Sequence, residues 1–190
     1  MITVENQLFS LHTRHTSYLF RVMETGHLEH LYYGRKIHPA IDGLMEQHAF
    51  APGNTNIYDS EHLQFSLEDT CLEMSSFGKG DIREPFVELT LSDGSETSDF
   101  LFEKFEQGTG KEEFETLPGS YDESGEVEWL GVTLRDKNSG VILELHYYVY
   151  EDCDVITRSA KLINESGDVV KLNRLMSLQL DLEPSDYVFT

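Results

Sequence analysis

Apolar residues along the chain recur at every second position in short runs, and polar or turn-forming residues separate the runs. "QLFSLHT", "TSYLFRVME" and "HLEHLYYGRKI" predict an opening meander of three strands, broken by a short polar stretch and by Thr25-Gly26. "HLQFSLE", "PFVELTL", "SDFLFEKFE", "EVEWLGVTLRD", "GVILELHYYVYED", "DVITRSAKLIN", "VVKLNRLMSLQLDL" and "YVF" follow. Turn signals such as Ser92-Asp93-Gly94, Asn138-Ser139-Gly140 and Glu165-Ser166-Gly167 divide them. Short strands at near-regular spacing, with almost no helical periodicity, predict an all-β fold: a large antiparallel β-sandwich with little helix.

One interval lacks this pattern. From His38 to Glu61 only "AIDGLMEQ" has the makings of a single helical turn, and a connection of that length points to a binding surface, a lid or an oligomer contact. "GTGKEEFETLPGSYDESGE" is a second stretch where the sandwich reaches outward. With no internal repeat and no shift in composition, residues 1–190 are expected to form one domain. The closing "LMSLQLDLEPSDYVFT" breaks off inside a strand-like run, so more chain is expected after Thr190.

Composition supports a folded core: 39% of the 190 residues are hydrophobic and 11% aromatic. Charge narrows the partners. Lys and Arg number 14 against 35 Asp and Glu, and a net charge of -21 repels phosphate backbones and anionic lipid, so neither nucleic acid nor membrane is expected. The N-terminus has no secretory pattern and no run is long enough to span a bilayer, so the expected location is the cytoplasm. Cys71 and Cys153 lack Cys-x-x-Cys spacing and read as small buried hydrophobes.

Candidate chemistry is sparse. "SFGKGDIREPFVEL" places glycines around a lysine, but no Gly-Lys-Ser/Thr ending and no helix start follow, which argues against a phosphate cradle. Asp81, Arg83 and Glu84 read instead as ion pairs that tie loop segments together, with Pro85 opening a strand. His27 and His30, three apart on a strand, face opposite sides, and no His-Glu-x-x-His exists, so no metal and no cofactor is expected. No Gly-x-Ser-x-Gly elbow is present, and nothing singles out two of the carboxylates as a glycosidase pair. "HLYYGRK", "LHYYVY" and "VEWLGV" hold aromatics able to stack on sugar rings, yet alternating strand positions favour core, and Trp129 is expected between the sheets.

"HLYYGRKI", "LEMSSFGKGDIREP", "LTLSDGSETSDFLF", "LELHYYVYEDCDVITRSAKLINES" and "MSLQLDL", in that order, resemble the N-terminal region of bacterial α-galactosidases of glycoside hydrolase family 36. The most specific positions are Gly80, Asp81, Arg83 and Pro85, Tyr33 and Gly34, and Arg158 with Asn164. The resemblance implies a supersandwich-type N-terminal domain ahead of a (β/α)8 barrel. That barrel, in the same chain but outside these residues, would carry two aspartates for retaining hydrolysis of α-galactosides such as melibiose and raffinose. No catalytic residue is then expected in residues 1–190. It also implies a homo-oligomer, a tetramer, in which the His38 to Glu61 loop reaches a neighbouring subunit's pocket. Gln47, His48 and Asn54 become candidate rim residues, although Gln47-His48 stand where an acidic-basic pair is expected. The alternative is a free-standing carbohydrate-binding or oligomerisation sandwich.

Overall fold

The computed structural model describes residues 1–38, 43–44, 57–112 and 119–181. The rim candidates Gln47, His48 and Asn54, almost all of the expected helical turn, and the "YVF" strand lie outside the described residues. Two four-stranded antiparallel meanders face each other. One is β1 (Ile2–Glu5), β2 (Leu8–His12), β3 (Thr16–Val22) and β4 (Leu28–Arg35). The other is β6 (Phe100–Thr109), β7 (Glu128–Asp136), β8 (Ile142–Tyr150) and β9 (Val155–Ile163). A two-stranded ribbon of β5 (Val87–Thr90) with β10 (Lys171–Leu175) completes an antiparallel β-sandwich.

Every second residue of the facing strands enters one core. Phe9, Leu11, Tyr18 and Phe20 come from the first sheet, Leu130, Val132, Leu134, Leu143, Leu145 and Tyr147 from the second. The Phe20 ring stacks on Phe9 at 4.7 Å and on Tyr147 at 5.2 Å, bridging the sheets. Truncating such a side chain to alanine typically costs about 3–5 kcal/mol, because the rigid strands around it close only part of the hole.

β1 went unforeseen, and the opening meander has four strands rather than three. The reason is its turn. Asn6 and Gln7 both adopt left-handed backbone, at φ 49° and 63°, and close a two-residue hairpin of the type that Asn-Gly usually marks. Without the glycine the signal is faint.

"HLQFSLE" is not a strand. Phe65 and Leu67 are buried as alternation demands, but they join Tyr58 and Leu72 in a satellite cluster, and Leu67–Asp69 form a 3-10 turn. Thr70 Oγ1 donates to the Ser66 carbonyl at 3.0 Å, a local bond that competes with strand pairing. Trp129 is also not between the sheets. Its neighbours Leu130 and Val132 point inward, so the period of two turns Trp129, Gly131 and Thr133 to the outer face of the second sheet.

Candidate functional site

The Ser76 to Leu89 stretch is a knot of backbone and charge. Gly78, Lys79 and Gly80 take positive φ in succession, at 97°, 57° and 84°. A Cβ on Gly78 would stand 2.8 Å from Thr97 Cγ2, so this position admits little beyond hydrogen. Lys79 Nζ lies 4.7 Å from the centre of the Tyr58 ring.

Arg83 spends its whole fork on the fold. Nε and Nη2 donate to Asp81 Oδ1 and Oδ2 at 2.9 and 2.8 Å, and Nη1 donates to Asp181 Oδ2 at 2.7 Å. The carbonyls of Thr70 and Leu67 each accept a further bond at 2.7 Å. Burial works against the guanidinium charge, but the Asp81 and Asp181 carboxylates outweigh it and raise the Arg83 pKa. Glu84 pairs with Arg174 instead. Pro85 is buried two residues before β5 begins.

A second polar centre lies in the core, and no motif in the sequence marks it. Glu73 is fully buried on a segment that extends the edge of β4, where Glu73 N donates to the Leu28 carbonyl at 2.9 Å. Its carboxylate accepts from Tyr18 at 2.7 and 2.9 Å and from Tyr147 at 2.7 Å, with His30 Nδ1 at 3.2 Å and Arg158 Nη1 at 2.9 Å. An ionised carboxylate only accepts, so the hydrogen of His30 belongs on Nδ1. The Arg158 guanidinium stands 5.1 Å from the Phe86 ring and 5.2 Å from the Tyr147 ring. Burial alone would raise the Glu73 pKa, but Arg158, His30 and Tyr18 outweigh it and lower it. Burial and the same carboxylate push both tyrosines well above their ordinary value.

A third centre joins the first sheet to the loop above it. Asp99 holds His27 Nε2 at 3.1 Å and the Tyr58 hydroxyl at 2.8 Å, and His27 Nδ1 meets Thr25 Oγ1 at 2.9 Å. Thr25, His27 and Asp99 thus line up like a hydroxyl relay. Tyr58 occupies the other carboxylate oxygen, however, and packs edge-on against His27, which makes the chain a staple.

The remaining positions singled out from sequence are scattered. Tyr33 is half exposed, with its ring 5.8 Å from Tyr18, and Gly34 leaves room for the Tyr32 hydroxyl, which would lie 2.7 Å from a Cβ there. Asn164 shapes the β9 to β10 turn, donating to the Asp168 carbonyl at 2.8 Å and accepting from Ser166 Oγ at 2.6 Å. Arg158 joins the Glu73 centre, so among the described sequence candidates Asp81 with Arg83 and its flanking residues form one site. His27 and His30 serve different carboxylates, and no group of three or more potential metal ligands occurs among the described residues.

Glu29, Glu73, Asp81, Asp99 and Asp136 are buried carboxylates, and each accepts a hydrogen bond from inside the fold. None stands open to a substrate as an acid or nucleophile, so the arrangement braces loops and sheets. Residues 26–190 match the sequence model described as the glycosyl hydrolase family 36 N-terminal domain. The α-galactosidase of Lactobacillus brevis superposes with a TM-score of 0.88 at 34% identity, over 95% of this chain and 25% of that one. A variant of α-galactosidase AgaA from Geobacillus stearothermophilus, solved with raffinose, gives 0.84 at 30% identity over 95% of this chain and 25% of that one. The bifunctional α-galactosidase/sucrose kinase AgaSK of Mediterraneibacter gnavus is 30% identical over 95% of this chain and 19% of its own length. This chain thus spans a quarter or less of the relatives it matches, and it belongs to the glycosyl hydrolase family 36 N-terminal domain family.

Proposed function

We propose that residues 1–190 are the non-catalytic N-terminal β-sandwich domain of an α-galactosidase. A (β/α)8 barrel elsewhere in the same protein would carry out retaining hydrolysis of terminal α-galactosides such as raffinose. The observation that supports it most is a match over 95% of this chain to α-galactosidases, paired with buried carboxylates that already accept from donors inside the fold. Retaining chemistry needs two free carboxyl groups about 5 Å apart across a pocket. A chromogenic α-galactoside tests the reading. The protein as encoded should turn it over and residues 1–190 alone should not. Turnover by residues 1–190 that disappears on changing one of their own carboxylates would overturn it, and an inactive encoded protein would favour a free-standing binding sandwich.

The same reading makes the protein a homo-oligomer in which the His38 to Glu61 loop, with Gln47, His48 and Asn54, forms part of a neighbouring pocket's rim. Tyr58 anchors the end of that loop through Asp99 and Phe65, so an excision must stop before it. Replacing residues 42–56 by a short Gly-Ser linker should leave the core intact, lower the mass in solution and raise KM for the oligosaccharide. Wild-type mass together with wild-type KM would remove the loop from the function.

A further inference from the structure

The outer face of the second sheet carries a cavity that the reading above does not use. β6 and β7 pair with one residue to spare at Glu103, between Phe102↔Leu134 and Lys104↔Thr133. This bulge switches the alternation of β6: Phe100 and Phe102 point inward before it, Phe105, though exposed, sets its ring against Phe9 on that same side after it, and Lys104 and Glu106 turn outward. A cavity of about 260 Å³ results, walled by Trp129, Glu106, Thr133, Glu144, His146 and Tyr148.

Trp129 reaches across the floor, over two glycines. A Cβ on Gly108, its partner across β6, would fall 2.9 Å from the indole Nε1 and 3.1 Å from Cε2, and one on Gly131 would fall 3.5 Å from Cζ3. Missing side chains at two neighbouring outward positions thus let the indole pack close against bare backbone while it still lines the cavity. Lys104 with Glu106, and His146 and Lys161 with Glu144, are held together. Lys104 Nζ donates to Glu106 Oε1 at 2.8 Å, while His146 Nε2 and Lys161 Nζ stand 3.3 and 3.5 Å from Glu144 Oε2. Each carboxylate is engaged through one oxygen among the described residues, so the other can accept from a ligand.

We infer that this cavity is a saccharide site, in which the Trp129 ring packs on the C–H face of a neutral sugar ring and Glu106 and Glu144 accept from its hydroxyls. A flat aromatic floor with acceptors at its margin matches a ring that is apolar on its faces and polar at its rim. The net charge of -21 disfavours an anionic ligand, and Lys104, His146 and Lys161 each already stand beside a carboxylate. The site stands on the geometry of Trp129. It rests on the α-galactosidase reading only in expecting a galactoside among its ligands.

Lactose and maltotriose test it, because neither ends in an α-galactosyl group that such an enzyme would cleave. Titration of the protein as encoded, followed by saturation-transfer NMR, should show saturable binding of at least one of the two. Trp129→Ala should weaken binding by about tenfold or more, and Glu144→Gln by about threefold, with turnover of a chromogenic α-galactoside unchanged in both. No saturable binding by the wild type, or binding that survives both substitutions, overturns the site. Should Trp129→Ala fail to fold, Glu144→Gln decides alone. Loss of turnover in the wild type bears only on the α-galactosidase reading, since the two sugars report the cavity directly.

Discussion

The Arg83 tether and the Glu73 centre both take charge out of water, and they are built in opposite ways. Arg83 spends most of its fork nearby, on Asp81 two residues away and on the Thr70 and Leu67 carbonyls, reaches Asp181 from the far end of the described chain, and keeps 24% of its side chain exposed. Glu73 has no exposure, and its partners Tyr18, His30, Tyr147 and Arg158 lie 43 to 85 residues distant on β3, β4, β8 and β9. The first organises a loop that its own sequence nearly closes. The second exists only once both sheets have met, so it reports on the sandwich as a whole.

The largest expected effect follows from that difference. Glu73→Ala should destabilise the fold by about 3–5 kcal/mol, because it leaves the Arg158 guanidinium buried without a countercharge and two tyrosine hydroxyls without their acceptor. Denaturant melts measure it. Adding Arg158→Met to Glu73→Ala should recover part of the loss, since the uncompensated charge is then gone. A Glu73→Ala cost no greater than that of Arg83→Ala would erase the distinction between a central and a peripheral centre.

Arg83→Ala should cost less, about 1–3 kcal/mol, because the guanidinium is partly solvated while the Asp81 side chain it leaves is 1% exposed. Arg83→Lys should recover little of it, since an ammonium cannot reproduce the planar fork on Asp81 and also reach the Leu67 and Thr70 carbonyls. Thermal melts of both variants check this, with kcat/KM of the encoded enzyme as the control. A wild-type midpoint combined with lost turnover would turn the tether into a functional element.

What was legible in the sequence divides along the same line. Strands with strict alternation, such as β3, β7 and β8, were readable because burial on one face imposes a period of two. The Arg83 motif was readable because its main partner is two residues off. Glu73 was not, although one acid set between Leu72 and Met74 in "CLEMSS" is a faint sign of a buried charge. The misplacement of Trp129 has another cause: a large aromatic in a strand is assumed to face the core, whereas the parity of Leu130, Val132 and Leu134 already placed it outside. Phe100, Phe102 and Phe105, spaced two and then three, likewise announced the bulge that shapes the outer cavity.

Acid separates the core from the periphery at the smallest scale. The Glu73 pKa is depressed in the fold, so its contribution is complete above the ordinary value of 4.5 and is lost as pH falls through the lowered one. Asp154 obeys the same sign. In left-handed backbone at the β8 to β9 turn, it accepts from His15 Nδ1 at 2.6 Å, from Thr13 Oγ1 at 2.8 Å and from His15 N at 2.7 Å, and these bonds hold its pKa down to about 2. Asp154→Asn should therefore lower the melting midpoint slightly by a constant amount above the ordinary value of 3.8, and the difference from wild type should narrow as pH falls toward 2. Glu73→Gln should show the same narrowing from a much larger gap, because its carboxylate is buried and that of Asp154 is at the surface. Melting curves taken at steps between pH 6 and about pH 3 suffice. A gap for Asp154→Asn that widens in acid would mean that the carboxylate is strained rather than stabilised at the turn.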